Sequence, residues 1–129
     1  MKQLIIALFI ILFLVTSGYT EELQPRTVSV YKRHMQSPDH DKGNFDHQLH
    51  HMLYLSGVAD AYSINNERRA AEGLPLLYCL PDNTSLNGND YIALLEQQLN
   101  DPATPLPDRM TVAEALLLAL QEKFPCQQK

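Results

Sequence analysis

Five histidines crowd into one stretch of this chain: His34, His40, His47, His50 and His51. His47 and His51 are four apart, and on a helix that spacing puts both imidazoles on one face, where they could chelate zinc or copper with Asp46 or Asp41 as an oxygen ligand. Two ligands on one helix fall short of a site, and no H-E-x-x-H pattern surrounds them. The competing reading is a solvated helix start carrying titratable imidazoles. Asp60 stands among Val58, Ala59, Ala61 and Tyr62. A carboxylate in that setting is either a perturbed acid or, more often, a group hydrogen-bonded to a tyrosine or a neighbouring helix end.

Other chemistry is thin. Ser56 and Ser63 lack a G-x-S-x-G setting, and no glycine-rich phosphate loop occurs. The pattern of residue types therefore points to a protein that is not an enzyme and carries no cofactor. Charged residues around Glu67, Arg68, Arg69 and Glu72, and again at Asp101 and Asp108, read as a solvated face or as contacts for a protein partner. Asn83-Thr84-Ser85 matches the glycosylation acceptor pattern, which matters only in a host that glycosylates exported proteins.

The two cysteines, Cys79 and Cys126, take their meaning from the start of the chain. "MKQLIIALFIILFLVTSG" has Lys2, then twelve apolar residues from Leu4 to Val15, then Thr16 and Gly18 at positions suited to signal peptidase. Twelve residues are short for a bilayer span, so residues 1–18 read as a signal peptide cleaved after Gly18, with an uncleaved anchor as the alternative. No cysteine follows the run, which rules out a lipoprotein anchor. An exported chain meets an oxidising compartment, where an even pair of cysteines forms a disulfide. Such a bridge would close a loop of nearly fifty residues, contributing about 4 kcal/mol by chain entropy. A catalytic or metal-binding thiol pair is the rival, and the spacing has no C-x-x-C to support it.

Cleavage removes one basic residue, leaving nine against fifteen acidic ones and a mature net charge of −6. That balance disfavours nucleic acid, whose phosphates need clustered Lys and Arg, and it is compatible with a basic protein partner. With the signal removed, nothing remains to hold the chain in a membrane.

The elements that must position these residues are helices. Residues 19–44 form an N-terminal arm or a short helix: "TVSVY" alternates like a strand, whereas "VYKRHM" could equally open a helix. From about Asp46 to Asn66 the pattern predicts one helix, with Leu49, Leu53, Gly57 and Ile64 on one stripe and Met52, Leu55, Ala59 and Tyr62 on another. Apolar on both stripes, it should be central, with partners on two sides. Gly57 costs about 1 kcal/mol against alanine, so it is expected to admit a close backbone. "NNERRAAEG" either extends this helix or makes a separate turn, ending at Gly73 as a C-cap.

Asn87 or Asn89 caps a second helix running to about Leu99. Its apolar face holds Tyr91, Ile92, Leu95 and Leu99, and its wet face Glu96, Gln97 and Gln98. Three prolines make residues 100–108 a loop. The last helix runs from about Thr111 to Phe124, with Asp108 or Thr111 as N-cap and Glu114 completing a capping box; Val112, Leu116, Ala119, Leu120 and Phe124 face inward. The fold class is all-α, a small disulfide-stapled bundle of three to five helices.

"YLSGVADAY" (54–62), "YCLPDNTSLNGNDYIALLEQQL" (78–99) and "VAEALLLALQEKFPC" (112–126) together resemble the Rap/Tai family of bacterial immunity proteins, associated with type VI secretion amidase effectors. The family's Tyr-x-x-Gly helix corresponds to Tyr54 and Gly57, followed by Asp60. Its Cys-x-Pro turn corresponds to Cys79 and Pro81, its helix ending in Leu to Leu99, and its closing Phe-Pro-Cys to Phe124, Pro125 and Cys126. Two further family cysteines are replaced here by Met35 and His51, so the tether of the N-terminal arm differs.

The resemblance implies that residues 45–129 are a Rap/Tai-like helical immunity domain. It further implies a periplasmic inhibitor, commonly a homodimer, whose partner is a protein toxin, a peptidoglycan-cleaving amidase effector. The exposed segments expected to meet that toxin are Glu67–Tyr78 and Asn100–Asp108. The competing function is a periplasmic metal-binding or chaperone-like small helical protein built around His47 and His51.

Overall fold

A computed structural model describes residues 26–36 and 45–127, and of residues 45–47 only the backbone. The expected signal peptide, the first residues of the arm and residues 37–44 lie outside the described residues. Those residues form four helices, α1 (Val28–Met35), α2 (Phe45–Ala71), α3 (Gly88–Leu99) and α4 (Val112–Lys123), with one isolated antiparallel bridge between Thr27 and Thr111. The fold is all-α, closed by the disulfide between Cys79 and Cys126.

Each helix boundary has a local cause. Thr27 sits in extended backbone and its hydroxyl accepts from the Val30 amide, which turns an alternating "TVSVY" into the first turn of α1 rather than a strand. The helix is held onto the bundle by its flanks. The Val28 amide donates to the Met110 carbonyl at 2.8 Å, the Val112 amide to the Arg26 carbonyl at 2.7 Å, and the Ser29 amide to the Asp108 carbonyl at 3.1 Å. Val28 and Tyr31 are buried beneath it. The arm is thus tethered by backbone pairing and apolar burial without a second disulfide.

At the end of α2 the Leu74 amide reaches the Arg69 carbonyl at 2.8 Å and the Gly73 amide the Ala70 carbonyl at 3.1 Å. With Gly73 at a φ of 69°, this is a Schellman stop, and the helix includes "NNERRAA". Asn87, rather than Asn89, caps α3, in a capping box with Asp90. Thr111, rather than Asp108, caps α4: the Glu114 amide donates to the Thr111 hydroxyl, and the Glu114 carboxylate accepts from the Thr111 amide at 2.8 Å. Those hydrogen bonds stabilise the ionised carboxyl and hold it below the usual glutamate range.

The core lies where α2, α3 and α4 meet. Leu55, Leu95, Leu116 and Leu120 are fully buried, and each contributes about 1.5–3 kcal/mol of apolar burial. Val112, Ala115 and Ala119 complete the inner face of α4, and Tyr78 closes the core from the connector. The α3 and α4 faces are those expected, with one exception: Gln98 is buried, its side-chain amide donating to the Thr104 hydroxyl at 3.3 Å.

The long helix α2 corrects a larger expectation. It is packed on one side only. Leu55, Ala59 and the half-buried Tyr54, Val58 and Tyr62 turn inward, whereas Leu53 is 60% exposed and Ile64 66% exposed. Gly57 shares that outer stripe, and a Cβ added there would meet nothing within 4 Å. The close approach occurs at Gly88 instead, where a Cβ would stand 2.7 Å from Met52 Cγ and 3.2 Å from Ser56 Oγ. Gly88 opens α3 and lets it press against α2.

Candidate functional site

The segment from Glu72 to Pro81 leaves α2 and folds back along it, pinned at several points. The Asn66 side chain holds two of them: its amide donates to the Tyr78 carbonyl at 2.9 Å and its carbonyl accepts from the Leu77 amide at 2.7 Å. Arg69 donates from Nε to the Pro75 carbonyl. At the far end the Cys79 amide donates to the Phe124 carbonyl at 2.9 Å, beside the disulfide. Tyr78 is buried at the centre, with its hydroxyl pushed up from its ordinary value by burial and then by Tyr91.

With its inner residues fixed, the connector turns its other side chains outward. Leu74 is 46% exposed, and Leu76 and Leu80 are similarly open. Just before the connector, the end of α2 carries exposed Glu67 and Arg68 and half-buried Arg69, and Glu72 follows the helix. Arg68 and Glu72 form an exposed ion pair at 2.9 Å across one turn, worth only a few tenths of a kcal/mol. Arg69 is committed to the connector backbone, so of the four charged residues singled out from the sequence it is the one with a structural task. The connector thus presents exposed apolar side chains on a backbone fixed by hydrogen bonds.

The second candidate loop is built differently. The Asp101 carboxylate accepts from the Ala103 amide at 2.8 Å and from the Thr104 hydroxyl at 2.6 Å, and these bonds hold its carboxyl below the usual aspartate range. Asp101 therefore organises its own turn, with Gln98 anchoring Thr104 from α3. Asp108 is exposed, and its carbonyl receives the Ser29 amide of α1.

The family-motif residues occupy distinct places. Tyr54 lies beneath the Arg26 guanidinium, 4.6 Å from ring centroid to Cζ. Gly57 is on the open face of α2. Asp60 is exposed and hydrogen-bonds no tyrosine among the described residues; its charge acts on Tyr91, whose hydroxyl is pushed up by burial first and by Asp60 and Asp90 next. Tyr62 donates its hydroxyl to the Ala113 carbonyl at 2.8 Å, joining α2 to α4. Pro81 receives the Thr84 amide in the turn before α3, and Phe124 and Pro125 end α4 next to the staple.

The histidine pair is divided. The His47 side chain lies outside the described residues, as do His40, Asp41 and Asp46, so the proposed chelate does too. His51 is buried, its ring edge-on to Tyr31 with centroids 4.9 Å apart, and the His34 ring lies 6.3 Å away. Among the described residues no group of three or more His, Cys, Asp or Glu is placed to hold a metal ion, and no helix is long and apolar enough to cross a membrane.

Sequence reasoning missed Asn66 and the three outward leucines. A signal existed for the leucines: "LPLLYCL" carries more apolar residues than a ten-residue connector can bury. No such signal marks Asn66, because its clamp depends on the connector folding back. Compared with protein-family models, curated proteins and solved structures, the chain gives no match.

Proposed function

We propose that the protein is a periplasmic immunity protein that binds and inhibits a type VI secretion peptidoglycan amidase effector and catalyses nothing itself. The observation that carries a binding role is the pinned connector, with Leu74, Leu76 and Leu80 exposed on a backbone that Asn66 holds. Preorganisation of this kind removes the ordering cost that a free loop would bear on association. The toxin class rests on the resemblance of the Tyr54–Gly57, Cys79–Pro81 and Phe124–Cys126 motifs to the Rap/Tai family, and export on the leader-like residues 1–18. The disulfide supports an oxidising destination.

A homodimer belongs to the same proposal. Leu53, Gly57 and Ile64 give it a place to form, since an open helix face with a glycine at its middle accepts a second helix closely.

The test is co-purification with the product of the adjacent gene, together with protection of cells that express that product in the periplasm. Leu74→Glu with Leu76→Glu should abolish both while leaving helicity unchanged, because both residues are outside the core. A wild-type protein that binds no amidase-like neighbour and protects no cell would overturn the reading.

A further inference from the structure

Two independent demands of the fold meet at the start of α3 and fix one dipeptide there. The N-cap position takes a side chain that accepts from the first free amides, and Asn87 does so, its Oδ1 accepting from the Asn89 amide at 2.9 Å and from the Asp90 amide at 3.4 Å. The next position takes glycine, because a Cβ there would stand 2.7 Å from Met52 Cγ. The result is Asn87–Gly88, the one Asn-Gly pair in the chain; every other asparagine is followed by a residue with a side chain.

An asparagine carboxamide is open to attack by the amide nitrogen of the following residue once that nitrogen gives its proton to hydroxide. The nitrogen bonds to Cγ, the carboxamide C–N bond breaks, and ammonia leaves with a proton from water. The five-membered succinimide then takes up water at one of its two carbonyls, giving aspartate or, with the main chain rerouted through Cβ and Cγ, isoaspartate. One water is consumed and one ammonia released, and no electrons change hands. A side chain on the following residue hinders the approach, and glycine offers none. The Gly88 amide has no hydrogen-bond partner among the described residues, as expected of the first residue of a helix.

The folded chain holds this reaction back. Ring closure needs Cβ and the Gly88 nitrogen eclipsed about the Asn87 Cα–C bond. At a ψ of 177° the Asn87 and Gly88 nitrogens are instead trans, with Cβ gauche to the Gly88 nitrogen. Turning that bond would swing the Asn87 carbonyl off the Tyr91 amide, held at 3.1 Å, and draw the side chain away from the Asn89 and Asp90 amides. The Asp90 carboxylate clamps the same residue, accepting from the Asn87 amide at 2.8 Å. Gly88 is buried against α2. Closure of the ring therefore requires the first turn of α3 to open.

We propose that Asn87–Gly88 is a deamidation site that the capping box of α3 keeps closed, so that opening of that turn exposes the chain to an irreversible change. Aspartate caps a helix as well as asparagine does, so that product re-forms the turn. Isoaspartate adds a methylene to the main chain between the cap and Gly88, beside the close approach to Met52, and α3 cannot reseat in register on α2. A chain that has opened is thereby marked and weakened. Neither the connector nor its proposed partner enters this chemistry.

The purified chain, incubated at mildly alkaline pH and sampled over time, is reduced, digested and read by peptide mass spectrometry, with electron-transfer fragmentation to locate the mass gain and to separate isoaspartate from aspartate. Residue 87 is expected to convert slowly in buffer and faster in urea. Reaction through local opening scales with the open population, and loss of a cap of ordinary strength raises that population about fivefold. Asp90→Ala should therefore convert about fivefold faster than wild type in buffer and at the wild-type rate in urea. Asn87→Ser keeps a capping oxygen and should show no conversion at this residue. Asn87→Asp should keep the wild-type urea midpoint, whereas the isoaspartate fraction should unfold at lower urea. Circular dichroism verifies that each variant is folded in buffer.

Conversion in buffer as fast as in urea, or an Asp90→Ala rate in buffer equal to that of wild type, would overturn the proposal by showing that the capping box does not guard the residue. No conversion at residue 87 in urea, or earlier conversion of another asparagine, would overturn it by removing the site itself.

Discussion

A glycine inside or at the start of a helix has two unlike reasons to be there, and this chain separates them. Gly57 lies mid-helix with open space where a Cβ would go. It carries the backbone-entropy cost of glycine with no packing return within the single chain. Gly88 is buried at the first position of α3, and its missing Cβ is what admits Met52 and Ser56 of α2. The two alanine substitutions should therefore move stability in opposite directions. Gly57→Ala is expected to stabilise by about 1 kcal/mol. Gly88→Ala is expected to destabilise by about 1–3 kcal/mol as α3 is forced away from Met52. Urea denaturation followed by circular dichroism measures both. If a second copy seats on the α2 face through Gly57, the alanine variant will also show a concentration-dependent loss of dimer by sedimentation.

At the scale of elements, Asn66 decides what the connector can do. Its one side chain satisfies a backbone donor and a backbone acceptor, at Leu77 and Tyr78, that the connector's irregular path leaves unpaired. Asn66→Ala would remove both partners. Loss of one such buried or half-buried bond costs about 1–3 kcal/mol, and here the loss is concentrated on residues 74–78. Hydrogen exchange should show those amides opening while α3 and α4 stay protected, and affinity for the proposed toxin, if it docks on the connector, should fall mainly through a faster off-rate.

The same scale shows what local sequence could and could not reveal. Caps were readable to within a choice of neighbours because they are written within four residues: Thr111 with Glu114 competed with Asp108, Asn87 with Asn89, and Gly73 stood as the stop of α2, while the Asp90 half of the α3 box appears only in the structure. The side of α2 that faces outward was not. Leu53 and Ile64 have the same hydropathy as Leu55 and Leu95, and only the number of helices available to cover them separates surface from core. Gln98 misled for the same reason, since Thr104 reaches it only once the proline loop has folded.

For the molecule as a whole, the disulfide joins the parts that the helices leave apart. Among the described residues α2, α3 and α4 carry the fully buried leucines, so the bundle has its own apolar core. The connector contributes mainly Tyr78 to that core, and Cys79 then ties it to the residue after Pro125 at the end of α4, 47 positions along the chain. Cys79→Ser with Cys126→Ser should cost up to about 4 kcal/mol, the chain-entropy value for a loop of this length. Such a loss is a large share of the stability of a domain this small. It should lower the thermal midpoint of both the helical signal and the tyrosine environment together, because the staple acts on the unfolded ensemble as a whole. In the folded state its effect is local. The Cys79 amide keeps its bond to the Phe124 carbonyl, so helicity at low temperature should be preserved while exchange accelerates at residues 78–80. A double variant with the wild-type thermal midpoint would show that the Cys79–Phe124 hydrogen bond and Tyr78 burial already hold the connector.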